Sequence, residues 1–276
     1  SRDPMQLSRP LQVVGHLVLL IVCLSILAPM LIVVSTAIKL PNEVYALSLW
    51  PDVPTLQNFA HLFEQTAFGR YTWNTAGTTA LRVAGQLALG VLAAYAFARF
   101  TFRFRDAIFA LVIGAMMIPQ VLTMLPNYIL MAQLGWFDTW WALVVPNLAT
   151  PIAIFLLRQH MMSFPSELID AAQMDGAGHW TTLWRVIVPN LGPALSALTI
   201  IIFIDSWNEY FWPLLVTESE NSRTIQIGLR EFLQDDQDDY GALMAGIIFA
   251  SVPAIAVFLF FQRRVMDTFV SSGLKG

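Results

Sequence analysis

Six stretches of nearly unbroken apolar sequence, Leu11–Ala37, Thr75–Phe100, Ala107–Met131, Trp141–Leu157, Pro189–Val216 and Ala242–Phe261, limit this chain to one kind of solvent. Crossing a hydrocarbon layer of ~30 Å takes roughly 20 helical residues, so six crossings are predicted, the fourth being the shortest. Lipid offers no hydrogen bonds, and a backbone that crosses it must pair its own N–H and C=O groups, which makes these stretches helices. The expected fold is an all-α membrane protein with six transmembrane helices over residues 11–262. Composition agrees, because 57% of residues are hydrophobic and only 12% charged, the balance of a membrane protein rather than of a soluble domain.

Ser35-Thr36-Ala37 could be mistaken for a signal-peptide cleavage site, but the apolar part before it far exceeds the roughly 7 to 15 residues of such a region, so it is read as a retained span. Residues 1–10 read as a tag remnant, Ser1–Pro4 ahead of Met5, plus a short N-terminal segment; residues 263–276 form a tail. Orientation follows from the cations, which stay on the cytoplasmic side. Arg9, Arg99, Arg103, Arg105, Arg158, Arg185, Arg263, Arg264 and Lys275 all fall on one side of six spans, which places both termini in the cytoplasm. The other side holds only Lys39, Arg70, Arg223 and Arg230 against many acids, and Trp136, Phe137, Trp140 and Trp141 mark its membrane edge.

The two longest outer segments are Ile38–Trp73, irregular through Pro41, Pro51 and Pro54, and Thr217–Tyr240, with the acidic run Asp235–Asp239. That run is solvated surface or a contact for a binding protein; it has no metal-ligand spacing, and neither do the scattered His16, His61, His160 and His179. Cys23 stands alone, so no intrachain disulfide forms. The net charge of −4 conceals a segregation of charge between the two sides and says little about partners, but the lack of a Lys/Arg-rich run argues against nucleic acid.

Ionisable and amide side chains inside a span are costly and mark a cavity, a helix contact or a partner subunit. In the second span Arg82 lies eight residues, roughly 12 Å, beyond Asn74, with Gln86 one turn further. In the fifth, Asp205, Asn208 and Glu209 share a helical face by spacing, with Trp207 and Tyr210 beside them. Gln120, Asn127 and Asn147 accompany the prolines of spans three and four. All of these are candidates for a solute pathway. Aromatic faces with hydrogen-bonding groups suit a hydroxylated solute; Asp205 suits equally the role of structural counter-ion to Arg82, and an unpaired Arg82 would favour an anionic group such as phosphate.

Between spans four and five lies a polar island, residues 163–188. Pro165 suits a first helical turn, Glu167 and Asp170 place negative charge towards a helix N-terminus, and Gly176 supplies a left-handed stop. Beyond it Trp180, Leu183, Trp184 and Ile187 give a second helix an apolar face that ends before Pro189. Such a pair either fills a partner's groove or lies on lipid. The segment Asp170-Ala171-Ala172-Gln173-Met174-Asp175-Gly176-Ala177, followed by Ile187, Pro189 and Leu191, resembles the EAA-x3-G coupling motif of permease subunits in binding-protein-dependent ABC importers, with Asp170 where the family usually has Glu. Ala93–Arg99, Trp207–Leu214, Gln262-Arg263-Arg264 and the end Gly273-Leu274-Lys275-Gly276 resemble its MalG-like, carbohydrate-type branch.

That resemblance implies a type I importer permease in a bacterial or archaeal inner membrane, with a cytoplasmic coupling helix pair at Glu167, Asp170, Ala171, Ala172, Asp175, Gly176 and Ala177. The implied partners are a sister permease, two ATPase subunits that use ATP and Mg, an extracytoplasmic solute-binding protein and membrane lipid. The implied solute is a di- or oligosaccharide, or glycerol 3-phosphate and its diesters, and the Trp207–Pro213 run with Arg82 inside a span tilts the expectation slightly towards the phosphorylated polyol. The chain has no Gly-x-x-x-x-Gly-Lys-Ser/Thr loop, so it is expected to bind no cofactor itself and to be non-catalytic. A self-sufficient transporter or channel is the alternative; a membrane enzyme is disfavoured, since no catalytic constellation converges at one depth.

Overall fold

The computed structural model describes residues 9–46, 48–233 and 239–273. Residues 1–8, most of the acidic run at 235–239 and residues 274–276, which include Lys275, lie outside them. Among the described residues every regular element is helical. Three helices are each long and apolar enough to cross a membrane: α1 (Arg9–Ala37), α3 (Phe68–Arg99) and α13 (Tyr240–Gly273). With each of three bent pairs counted as one span the number rises to as many as six: α4 (Arg105–Ala115) with α5 (Gln120–Leu134) at 98°, Trp140–Asn147, which begins as α6 (Trp140–Val144), with α7 (Pro151–Met162) at 44°, and α9 (His179–Asn190) with α10 (Gly192–Trp207) at 77°.

Each of the three bends has a local cause, and two of them fall at prolines of spans three and four. Pro119 precedes α5 and Pro151 opens α7, and a proline forces the preceding residue out of the α region. Pro193 lies in the first turn of α10, next to Gly192. The predicted span Pro189–Val216 is moreover cut at residues 208–210, after which a short helix α11 (Phe211–Val216) begins. The outer loop Ile38–Trp73 is less irregular than its prolines imply: it contains α2 (Gln57–Gln65) and the first turns of α3. Of the other elements, α8 (Ser166–Met174) lies between α7 and α9, and α12 (Ile225–Glu231) precedes α13.

The chain divides into two compact units, residues 1–66 with 229–251, and residues 67–228 with 252–276. In the first, α1 is exposed over nearly all its length, and order comes from the segment after it. Buried Lys39 donates to the carbonyls of Ala46 (3.2 Å) and Ser48 (2.7 Å), and buried Asn58 donates to those of Ala37 and Lys39. His61 meets Asp239 at 2.8 Å, while the other oxygen of Asp239 accepts the Ala242 N–H at the start of α13.

In the second unit α3 is the central strut. Gly90 lets α7 approach closely, since a Cβ there would stand 3.1 Å from that of Ala153; small residues serve this purpose where lipid supplies no hydrophobic drive between helices. Around this contact Val91, Ala94, Leu157, Leu198 and Ile202 form the core. At the other end of α3, Asn74 spends its amide on the carbonyls of Asn221 (2.8 Å) and Arg223 (3.0 Å) and accepts from the Trp140 indole (3.1 Å). Thr75 accepts the Ile225 N–H, and Trp212 donates to Ala142 O.

The segment after α11 is held from a second direction by Asp138, which adopts φ 59°. Its Oδ1 accepts the N–H groups of Glu218 (2.7 Å) and Ser219 (2.8 Å) and the Ser222 hydroxyl. Partial loss of hydration raises the Asp138 carboxyl, but the hydrogen bonds from Ser222, Ser219 and Glu218 outweigh it and hold it below the ordinary aspartate range. A lowered carboxyl stabilises the fold above its unfolded value, about 3.9, and that contribution fades as pH falls through the lower folded value. Proteolysis of the 217–224 segment is therefore expected to accelerate only in acid below about pH 4. Asp138→Asn is expected to be cleaved faster already at neutral pH and to lose that acid dependence.

Candidate functional site

Two places gather the residues singled out in the sequence. The first is the turn from α8 to α9. Pro165 precedes α8 with φ −56° and Glu167 lies in its first turn; Asp170 falls a turn later and is exposed. The stop is a Schellman motif: the Gly176 N–H donates to Gln173 O and the Ala177 N–H to Ala172 O, both at 2.9 Å, with Gly176 at φ 83°. Asp175 is the C-cap residue, and its N–H donates to Ala171 O. Ile169 points inwards and Ala172 is half-buried, while Glu167, Asp170, Ala171 and Asp175 are exposed.

The face predicted for α9 is divided. Leu183 and Ile187 enter the core, whereas Trp180 is 65% exposed and lies edge-on to the exposed Trp184 at 5.7 Å. The cause is a π-helical stretch, Thr182–Ile187, whose wider turn carries residues 180 and 184 away from the stripe that a 3.6-residue period requires. The helix also runs through Pro189 to Asn190 instead of ending before it.

The α8–α9 pair is fixed to α3. The Tyr95 hydroxyl donates to His179 O (3.3 Å), Phe100 packs on the His179 ring, and Arg99 donates to Met161 O (2.6 Å) and Phe164 O (3.3 Å). Arg99 thus satisfies carbonyls at the C-terminal end of α7, just where the chain turns into α8. Its sequence reading as an orienting charge missed this role; the clue was its place as the last residue of α3.

The second place is the middle of α3. Arg82 donates from Nη1 to Glu209 Oε2, and its Nη2 stands 3.9 Å from Asp205. The side chains of Arg82 and Glu209 are 6% and 12% exposed, that of Asp205 74%. The expected structural pairing exists, but Glu209 rather than Asp205 is the inner partner. The reason is the break after Trp207: Glu209 leaves the helix and reaches Arg82 from irregular backbone, where the simple helical face drawn from its spacing does not apply. Two acids for one cation leave this cluster with a formal charge of −1.

One turn along α3, Gln86 donates to Asn147 O (2.7 Å) at the bend of the fourth span. Trp207 is buried and stacked on Phe203 rather than lining this lane. Asn208 is exposed and accepts from Gln226, and Tyr210 is half-buried beside Phe211. Gln120 opens α5 on an exposed face and Asn127 is half-buried, apart from the Arg82 cluster in sequence and by every contact described. Asn74 is committed to the outer-loop carbonyls already described. Near Arg82 in sequence, the buried hydroxyl of Thr79 has no hydrogen-bond partner among the described residues, nor has that of Ser206 near Glu209. Sequence reading passed over both, because threonine and serine are common in membrane helices.

Removing one member of a buried ion pair strands the other at a cost of about 3–5 kcal/mol, whereas removing both costs much less. Thermal unfolding of the solubilised transporter is expected to show Arg82→Gln and Glu209→Gln each strongly destabilised, and the double variant partly restored. Additive losses would show that the two side chains do not depend on one another.

Residues 86–267 match the family model described as "Binding-protein-dependent transport system inner membrane component". The arabinooligosaccharides transport system permease protein AraQ of Halalkalibacterium halodurans is 34% identical over 228 residues, 82% of this chain and 81% of the relative. The sn-glycerol-3-phosphate transport system permease protein UgpE of Yersinia pestis is 30% identical over 274 residues, 96% of this chain and 98% of the relative. In structure the chain is similar to a subunit of a bacterial ABC transporter involved in the import of the acidic polysaccharide alginate. The TM-score is 0.85 at 23% identity, over 95% of this chain and 99% of that one, which shows a shared fold. A fold with six potential crossings, a polar helix pair between the fourth and fifth, and these relatives agree: the chain belongs to the inner membrane components of binding-protein-dependent transport systems, the permease subunits of ABC importers.

Proposed function

We propose that the α8–α9 turn is the coupling element of this permease, gripped on the cytoplasmic side by one of two ATPase subunits that use ATP and Mg. A sister permease completes the pathway, and a solute-binding protein docks on the outer loops. The observation that carries this reading is the construction of the turn. Exposed Glu167, Asp170, Ala171 and Asp175 sit on a helix stopped by Gly176 and seated on the core through Ile169, Leu183 and Ile187. A partner that pushes on such an element moves α3, α7 and α10 with it, because packed helices shift as bodies rather than deform. ATP binding closes the ATPase pair and switches the cavity from inward to outward facing, and hydrolysis resets it; each state is favoured by the contacts made only in it.

The solute proposed is a hydroxylated, uncharged sugar. Arg82 meets two carboxylates, which removes the unpaired cation on which recognition of a phosphate would rest. The likeness to AraQ, a permease for arabinooligosaccharides by its name, supports this reading. The full-length likeness to UgpE favours glycerol 3-phosphate as a second reading.

Two measurements on the transporter reconstituted with its own binding protein test these statements. Asp175→Lys places a cation at a helix C-terminus, which the helix dipole favours, so α8 persists; uptake is nevertheless expected to fall about tenfold or more, the loss of one interfacial hot spot. Gly176→Pro, incompatible with φ 83°, is expected to abolish uptake. Normal uptake in both variants overturns the coupling assignment. Separately, ATPase stimulation is expected with arabinose- or lactose-type oligosaccharides and not with glycerol 3-phosphate; the reverse selects the second reading.

A further inference from the structure

We propose that the corner between α3 and α4 is a seat for the headgroup of an anionic phospholipid. Residues 100–104 turn the chain from one span into the next, beside the end of α7 that Arg99 holds. Here lies an open depression of about 300 Å³, lined by Thr101, Phe102, Phe104, Arg105, Asp106 and Ala107.

Phe104 adopts φ 65°, a left-handed conformation that a bulky aromatic rarely takes, and its ring is 64% exposed. The Arg103 guanidinium stands 4.8 Å over that ring and is exposed, with no salt bridge or hydrogen bond among the described residues. Arg105 donates from Nε to Asp106 (2.9 Å), which leaves its terminal N–H groups to donate to a further anion. Two guanidiniums against one carboxylate give the corner a net positive charge. The neighbouring cations are already committed, Arg99 to carbonyls and Arg158 to the Phe109 ring at 4.0 Å.

Continuity with lipid decides the source of the phosphate. No residue of α4 is buried, and Ile108 and Leu111 are exposed on the helix that leads directly away from the depression. A headgroup at Arg103 and Arg105 would lay its acyl chains along that face, with Phe102 and Phe104 at the boundary where amphipathic and aromatic groups anchor. A soluble phosphate would use none of this apolar surface. The proposal needs only a membrane-spanning chain, so its failure leaves the transport reading intact.

The test is native mass spectrometry of the intact transporter released from nanodiscs of phosphatidylcholine with phosphatidylglycerol. Retention of phosphatidylglycerol over phosphatidylcholine is expected. It should fall about fivefold for each guanidinium removed in Arg103→Gln and Arg105→Gln, survive in Arg103→Lys, and be unchanged in Arg70→Gln. Arg103 is exposed and makes no hydrogen bond or salt bridge among the described residues, so its variants are expected to assemble. Equal retention of both lipids by the natural protein overturns the proposal. So does displacement of phosphatidylglycerol by inorganic phosphate alone, or loss of ATPase subunits from Arg103→Gln with lipid retention unchanged, which would make the corner a protein contact.

Discussion

Close packing of α3 on α7, permitted by Gly90 against Ala153, holds the distant parts of the larger unit in one frame. At 32 residues α3 is about 48 Å long, and it engages a different kind of structure at each level. Asn74 and Thr75 hold the 221–225 segment, Arg82 meets Glu209, Gln86 meets the bend at Asn147, and Tyr95 and Arg99 hold the approach to α8 and α9. Because one rigid helix carries all four, a displacement of α8–α9 has a mechanical route to the polar lane and to the far loop. A side chain at position 90 would meet the Ala153 Cβ at 3.1 Å and press α7 away by a few tenths of an ångström.

The polar lane is placed where the backbone is least regular. Glu209 lies in the break between α10 and α11, and Asn147 at the bend before α7. Broken helices are tolerated at membrane depth only where protein or water satisfies their free groups. Arg82 and Gln86 do part of this work, Gln86 directly by capping a carbonyl. Charge balance then bears on chemistry. A lone buried arginine invites an anion, whereas Arg82 has Glu209 as its inner partner and the exposed Asp205 at 3.9 Å.

Several elements were legible in the sequence because their cause is local. The apolar stretches require helices in lipid, and Gly176 after a polar helix predicts a left-handed stop, which the Schellman geometry bears out. The pairing of Arg82 with an acid of the fifth span was one of the two readings the spacing left open. The choice of Glu209 over Asp205 was not legible: it depends on the helix ending at Trp207, and no strong breaker precedes Asn208. The divided face of α9 was hidden for a similar reason, since a π-helical turn changes the period on which face predictions rest. Asp138 gave no signal beyond being an acid in a loop, because its three donors come from residues about 80 positions away.

By itself, then, the sequence determined the solvent, the stretches apolar enough to enter it, the helical class and the place of the turn between α8 and α9. Each of these follows from hydrophobicity, chain length and local dihedral preference. Tertiary structure alone decided where spans bend, which acid neutralises Arg82, which aromatic residues of α9 face outwards and which carbonyls Arg99 satisfies. Those outcomes depend on which polar groups meet once the helices have packed, and in a membrane interior an unmet polar group costs too much for neighbouring sequence to settle the matter in advance.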